Sequence, residues 1–372
     1  MSVNFLDLKK QYSNIDIPKL MVGLEEIVTN GAFVGGPHVE LFEHNFAQYH
    51  NMKYALGVGS GTDALIFALA GLGIGPGDEV LIPGNTFIAT ALAVTHVGAT
   101  PVFVDVNSLT YNIDYNISNY ITRKTKAIIP VHLYGNPVNM DNIMSVAKLA
   151  NLFVIEDCAQ AIGAKFKGQK VGTFGDVGCF SFYPAKNLGG LGQGGAIITN
   201  NKFVLNKARC LGNVGRKDDS WYEYSAVGYN SRLDAVNALF LNTCLNHIDK
   251  WNTKRRSVAK KYKDNLEACT GVAVPFIDTG CTPVYHLYEL KCENSMERDN
   301  LKAYLAGHDI YSALHYPVPC HKQEVYKESN GLVLGVVESL AATLLSLPMH
   351  PFMTTAEIET VTTIIKEYFN KG

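Results

Sequence analysis

Val154-Ile-Glu-Asp-Cys-Ala-Gln160 and Ser181-Phe-Tyr-Pro-Ala-Lys-Asn-Leu188 are the two stretches whose reading decides the fold. The apolar run Leu152-Phe-Val-Ile155 ends in the carboxylate of Asp157. The run Val177-Gly-Cys-Phe180 leads into Ser181 and, five positions later, Lys186. If the two runs are neighbouring strands, an Asp and a Lys emerge at one rim of a sheet. Taken singly they are ordinary, because an Asp at a strand end is usually a turn residue and a Lys after a strand usually faces solvent.

Working outward, strand-like and helix-like segments alternate from about residue 55 to 200. Ala55–Val58, Glu79–Ile82, Pro101–Asp105, Ala127–Leu133, Leu152–Ile155 and Ala196–Thr199 read as strands. Thr62–Ala70, Ile88–Val97 and Met140–Leu149 read as helices between them. Short Val/Ile-rich runs separated by helices predict an α/β fold, a mostly parallel sheet covered on both faces. Ligands of such sheets sit at the carboxyl ends of the strands, where the polar motifs fall here. After about residue 235 the pattern changes. Asp234–Leu266 reads as one long helical stretch, followed by a strand pattern at Tyr285–Leu290, a helix at Met296–Gly307 and a last helix at Thr355–Phe369. We divide the chain into a large α/β domain with an N-terminal arm, residues 1–245, and a small α+β domain, residues 246–372.

Composition narrows the function classes. Over 372 residues, 47% are hydrophobic and 18% charged, with a net charge of −2, so a sizeable core forms and no basic surface for nucleic acid is expected. The cluster Lys254-Arg-Arg256 with Lys260-Lys261 lies in a polar helix-like stretch and reads as a solvated face. The eight cysteines are scattered without a CxxC pair, which favours reduced thiols and a cytoplasmic setting. The start, Met1 to Lys10, lacks an apolar signal core, and no run approaches the ~20 apolar residues of a membrane helix.

An Asp–Lys pair at one rim is what pyridoxal phosphate requires: a lysine to hold its aldehyde as a Schiff base, and a carboxylate to keep its ring nitrogen protonated. The neighbouring motifs fit the same ligand. Gly57-Val-Gly-Ser-Gly-Thr-Asp63 joins a strand to a helix start, where the amides of Gly61 and Thr62 can receive a phosphate. Ser181 is a candidate for a further phosphate ligand. Phe87, in Pro83-Gly-Asn-Thr-Phe87, is either a ring-stacking aromatic or a core residue, and Gln160 is placed to meet the cofactor's 3-oxygen. Gly189-Gly-Leu-Gly-Gln-Gly-Gly195 lacks dinucleotide spacing and precedes a strand, so it reads as a turn past the lysine. His315-Tyr-Pro-Val-Pro-Cys-His321 lacks the spacing of a helical metal pair. It reads as a polar rim for substrate hydroxyls or as a structural loop, and no metal site is expected.

In this order the motifs resemble the DegT/StrS family of sugar aminotransferases, which are fold-type I pyridoxal-phosphate enzymes. The resemblance runs from Phe5-Leu-Asp-Leu8 through Gly59–Leu65, Pro83–Ala89, Val131–Gly135, Glu156–Gln160 and Ser181–Leu188 to Gly228–Asp234 and His315-Tyr-Pro317. It implies Lys186 as the Schiff-base lysine and proton shuttle, Asp157 as the partner of the ring nitrogen and Gln160 at the 3-oxygen. It implies Phe87 on the ring and Gly61, Thr62 and Ser181 on the phosphate. Asn230 matches a residue that the family supplies from the partner subunit, so the site would be shared within a homodimer. Tyr183, His315 and Tyr316 are the expected substrate contacts. Gln193 stands where relatives often carry an Asp.

The function implied is transfer of an amino group from L-glutamate, which leaves as 2-oxoglutarate, to a nucleotide-linked keto-6-deoxyhexose. The cofactor would alternate with pyridoxamine phosphate. The carrier is expected to be dTDP, and C3 is favoured over C4 because the Lys186-Asn-Leu-Gly189 turn resembles the 3-aminotransferase branch. Lipopolysaccharide or O-antigen synthesis is the expected context. A sugar dehydratase, a cyclitol aminotransferase and a non-catalytic regulatory protein that binds the cofactor are the alternatives. Retention of Lys186 favours transamination over dehydration. A nucleotide-binding oxidoreductase fits poorly, because no G-x-G-x-x-G opens the first βα unit.

Overall fold

The computed structural model describes residues 2–13, 15–113, 116–217, 220–329 and 331–370. The alternating segments build one seven-stranded sheet. Across it lie Tyr54–Val58, Gly195–Thr199, Val177–Ser181, Phe153–Asp157, Thr125–Ile128, Glu79–Pro83 and Thr100–Val104, in that order. All run parallel except Gly195–Thr199, which is antiparallel to both neighbours. The two deciding strands are adjacent, with Asp157 directly opposite Cys179.

Strand alternation sorts the side chains into two apolar layers. Ile155, Val177, Cys179 and Ile197 pack with Leu65 and Phe67 of the helix Gly61–Gly71. Phe180, Phe182, Ala196 and Ile198 face the other way, against Phe42 and Phe46 of the helix Pro37–His50. There the aromatic rings meet edge-on: Phe46 lies 5.1 Å from Phe180 and 5.4 Å from Phe182, both nearly perpendicular. Such pairs add ~0.5–1.5 kcal/mol beyond the area they bury. Phe180 and Phe182 flank Ser181, so locking them fixes Ser181 on the opposite face.

Three expectations need correction. Asp234–Leu266 is two helices, Ala235–Leu245 and Ile248–Leu266, broken at Asn246 and His247. The strand expected over residues 127–133 ends at Ile128. Pro130 has no N–H to extend the ladder, and the chain turns through Leu133–Gly135, with Tyr134 at φ 59°. The strand expected at Tyr285–Leu290 is Tyr288–Cys292.

That strand joins Val272–Ala273 and Leu344–Leu347 in an antiparallel three-stranded sheet. The helices Ser295–Gly307 and Thr355–Asn370 contribute Leu301, Leu305, Val361 and Ile365 to the same core. The N-terminal arm is part of it as well. Val3 is buried there and bridges Ile310, and Phe5 O accepts from Met349 N. Among the described residues no helix is long and apolar enough to cross a membrane.

Phe46 is fully buried at the centre of the aromatic layer. Phe46→Ala should destabilise the protein by roughly 3–5 kcal/mol, the usual cost of a large-to-small change in a packed core. Denaturant unfolding checks this, and a loss under ~1 kcal/mol would mean that the layer collapses around the cavity.

Candidate active site

At the carboxyl ends of the parallel strands lies a cleft of about 520 Å³. Asp157 closes its floor and is only 5% exposed. Thr90 Oγ1 donates to its Oδ2 at 2.8 Å, and Ala159 N donates to its Oδ1 at 3.1 Å. Because Thr90 donates to the carboxylate, it accepts from the Thr86 hydroxyl, 2.9 Å away. Burial raises the carboxyl's pKa, and the Ala159 N–H, the Thr90 hydroxyl and the Lys186 charge offset this only in part. Such a carboxylate lacks a full cationic partner, and a protonated ring nitrogen would supply one.

Lys186 leaves the strand Val177–Ser181 by a turn in which its N–H donates to Tyr183 O. Burial lowers its pKa to about 8, against the opposing pull of Asp157. The glycines after it serve close packing: a Cβ on Gly189 would lie 2.2 Å from Pro184 O. Gln193, on the same turn, also lines the cleft.

The helix Gly61–Gly71 points its first turn into the cleft at Gly61 and Thr62. Ser60 caps it, accepting from Asp63 N at 3.1 Å while donating to Asp63 Oδ2 at 2.7 Å. The Asp63 carboxylate is thereby held against the cap. Gly61 packs against Ser181, where a Cβ would come within 2.8 Å of the Ser181 Cβ. Free amides, a hydroxyl and no side chain at the turn make a cradle for a phosphate.

Phe87 and Tyr183, each about half exposed, stand at the mouth. Phe87 is tilted against Tyr316 at 5.7 Å. Gln160 is held from both ends: Oε1 accepts from Tyr134 N at 2.6 Å, and Nε2 donates to the Tyr316 hydroxyl at 3.0 Å. His315 and Tyr316 come from the C-terminal part of the chain, so the cleft lies between it and the sheet.

Of the residues expected from sequence, only Asn230 lies away from the cleft. It is exposed, and its Oδ1 accepts from Arg232. Sequence reasoning missed Thr90, Thr86 and His286. His286 is buried in the cleft wall, with Nδ1 3.2 Å from Asn187 Oδ1 and a pKa far below its ordinary value through burial and the charges of Lys186 and Arg255. The Thr-x-x-x-Thr spacing after the strand was the one available signal for the threonine chain. His286 left none, because its hydrogen-bond partner Asn187 lies 99 positions away.

Behind Asp157, His132 Nε2, Glu156 and Cys158 Sγ gather within 4.8 Å of one another. Their contacts are structural. Glu156 accepts from the N–H groups of Gly172, Phe174 and Gly175, and from His132 Nε2 at 3.1 Å. His132 Nδ1 accepts from Val138 N, which fixes the ring proton on Nε2.

A partly buried lysine with a lowered pKa, a buried carboxylate and an amide-lined cradle around one cleft fit pyridoxal phosphate. Schiff-base formation needs the neutral amine. Capture of added pyridoxal phosphate by cofactor-free protein should therefore accelerate as pH rises towards about 8 and level off above it. Asp157→Asn removes the anion that favours the charged amine, so the plateau should begin at lower pH. A capture rate independent of pH in stopped-flow absorbance would contradict the perturbed lysine.

Residues 17–366 match the DegT/DnrJ/EryC1/StrS aminotransferase family. The chain is 41% identical, over 98% of its length and 97% of the relative's, to UDP-N-acetyl-3-dehydro-alpha-D-glucosamine 3-aminotransferase of Acidithiobacillus ferrooxidans. It is 40% identical, over 99% of each chain, to a Geobacillus stearothermophilus protein named pleiotropic regulatory protein. Other relatives are named as transaminases of dTDP-linked 3-amino sugars. The fold superimposes on DesV of S. venezuelae in complex with a ketimine intermediate, with a TM-score of 0.94 and 38% identity over 99% of this chain and 98% of that one. NtdA of Bacillus subtilis, with its cofactor PMP bound, matches with a TM-score of 0.90 and 31% identity over 98% of this chain and 85% of that one. The chain therefore belongs to the DegT/DnrJ/EryC1/StrS aminotransferase family and is a pyridoxal-phosphate-dependent aminotransferase of fold type I.

Proposed function

We propose that this enzyme transfers an amino group from L-glutamate to a nucleotide-linked keto-6-deoxyhexose, with dTDP as the carrier and C3 as the position aminated. The observation that carries the transfer reading is the pairing of partly buried, desolvated Lys186 with buried Asp157 in one cleft. The names of the relatives support a nucleotide-linked sugar, and several of them support C3. The regulatory name carried by one relative does not favour a non-catalytic role here, since Lys186, Asp157 and Gln160 are all in place at the cleft.

When bound, pyridoxal phosphate supplies an electron sink that stabilises negative charge on the amine-bearing carbon. The chain's own groups do the rest. Asp157 holds a proton on the ring nitrogen, with Thr90 and Thr86 orienting its carboxylate. Lys186 Nζ, poised near neutrality, takes a proton from the donor carbon and returns one to the sugar carbon. Positioned proton transfer of this kind contributes ~10²–10⁴-fold in rate. Gly61, Thr62 and Ser181 would hold the phosphate, Phe87 would cover the ring and Gln160 would meet the 3-oxygen. Tyr183, His315 and Tyr316 line the side from which the sugar enters.

The active unit in this reading is a homodimer, with Asn230 reaching the partner's phosphate cradle. Residues 213–217 and 220–230 pair through bridges Asn213–Asn230 and Arg216–Tyr224. They expose Trp221, Tyr222 and Val227, the last 95% accessible. Apolar surface of this kind usually marks an interface. The helix break at Asn246 and His247 supports a domain division after residue 245. The eight free cysteines suit a cytoplasmic setting, and lipopolysaccharide synthesis is the context we assign.

Loaded enzyme mixed with L-glutamate should lose its visible cofactor absorbance and release 2-oxoglutarate, and a dTDP-linked 3-keto-sugar should restore the absorbance. A band unmoved by glutamate would remove the donor assignment. Restoration by keto-cyclitols or by UDP- or GDP-linked sugars instead would move the acceptor. Lys186→Ala should abolish the exchange, and Asp157→Asn should cripple it while leaving the fold intact. Mixing Lys186→Ala with Asn230→Ala subunits should recover about a quarter of wild-type activity, because half of the dimers then hold one intact shared site. No recovery would place Asn230 outside the partner's site.

A further inference from the structure

The strand Tyr288–Cys292 carries a carboxyl group that the transfer reaction does not use. Glu289 is 1% exposed and sits directly across the ladder from Ser346, which is fully buried. Ser346 Oγ donates to Glu289 Oε1 at 2.5 Å. The same hydroxyl lies 2.7 Å from Nδ1 of His315, whose chain segment pairs with the other edge of Ser346 through Ala313. His315 lines the cleft together with Lys186. Three adjacent segments thus form an unbroken hydrogen-bonded line from a buried carboxyl to the cleft.

The line has two self-consistent polarities. With Glu289 ionised, Ser346 donates to Glu289 and accepts from His315 Nδ1–H, so His315 Nε2 offers a lone pair to the cleft. With Glu289 protonated on Oε1, the carboxyl donates to Ser346, Ser346 donates to Nδ1, and Nε2 carries the proton. Glu289 Oε2 has no hydrogen-bond partner. The acid proton is therefore better placed on Oε1, since a buried donor without an acceptor costs ~1–3 kcal/mol.

We propose that His315, Ser346 and Glu289 form a proton relay that takes a proton from the cleft at His315 Nε2 and stores it on Glu289. Three bonds form and two break within the line. A proton joins Nε2, the Nδ1 proton passes to Ser346 Oγ, and the Ser346 proton passes to Glu289 Oε1. The net change is uptake of one proton, with the imidazole neutral before and after.

The surroundings suit this role. Burial raises the Glu289 carboxyl to about 8, so its charge changes near neutral pH. Burial and the Lys186 charge lower His315 to about 4, which disfavours the imidazolium and favours passing the proton on. The titratable groups facing Glu289 are the phenols of Tyr111, Tyr134 and Tyr316, all with pKa values raised by burial and so neutral through this range. Those facing His315 are Lys186 and His286. The Tyr134 hydroxyl donates to His315 O at 2.5 Å and Phe5 stacks on the ring at 5.8 Å, so its orientation is fixed.

The test is nitrogen-15 NMR of the histidine rings in the cofactor-loaded protein, with His315 identified by the signal lost in His315→Asn. As pH falls from about 10 to about 6, the wild-type ring should switch from the Nδ1–H to the Nε2–H tautomer without becoming imidazolium. Ser346→Ala cuts the line and should leave one tautomer throughout. Glu289→Gln removes the titrating group and should do the same, which covers the case in which one variant fails to fold. A wild-type ring that keeps one tautomer across this range, or a switch that persists in both variants, overturns the relay. Its use in amino transfer rests on the proposed reaction, but this readout requires no turnover.

Discussion

The parallel pairing of Phe153–Asp157 with Val177–Ser181 is the constraint on which the rest of the site depends. Its register sets Asp157 opposite Cys179, and alternation then assigns every neighbouring side chain to a face. Asp157 and Ser181 fall on the cleft side. Glu156 falls behind, where three backbone amides and His132 receive it. Phe180 and Phe182 fall on the far side as well, in the aromatic layer with Phe42 and Phe46. A slip of Val177–Ser181 by one residue would turn its flanking phenylalanines towards the cleft and bury Ser181 in that layer. Packing on one face and chemistry on the other are thus the same decision.

Burial sets the character of the cleft groups. Desolvation acts on Asp157, Lys186, His286 and His315, and each is pushed towards its neutral form. For Lys186 this favours the free amine that the cofactor needs. For Asp157 it leaves a carboxylate short of positive charge, which a protonated ring nitrogen would balance. In the proposed reading the two groups complement the ligand rather than each other. The histidines, held neutral, can donate or accept single hydrogen bonds without adding charge beside the lysine.

The C-terminal part of the chain does more than cover the sheet. It brings His286, His315 and Tyr316 to the cleft, and the N-terminal arm clasps it through Val3 and Phe5. Arg255, fully buried, holds the carbonyls of Tyr285, His286 and Met349 together beneath this wall. Residues from both ends of the sequence therefore meet at one face of the site, and the first few residues bear on its geometry.

Much of this was legible from the residues. The Val/Ile runs marked the strands because a buried parallel sheet accepts little else. Polar residues placed just after those runs marked the rim, and ten of the eleven expected site residues line the cleft. Local chemistry sufficed where the signal was local. It failed at Pro130, where one missing amide ended a strand early, and at Asn246, where a helical pattern concealed a break. Spacing alone paired Thr86 with Thr90, and nothing local showed that they stand behind Asp157, or Glu289 behind Ser346 and His315. Those arrangements join residues 67 and 57 positions apart, with no spacing rule to connect them. The sequence determined which segments become strands and which ends carry the polar groups, because alternation and helix capping act over a few residues. Only the tertiary structure decided which buried groups share hydrogen bonds, because that depends on strand order and register.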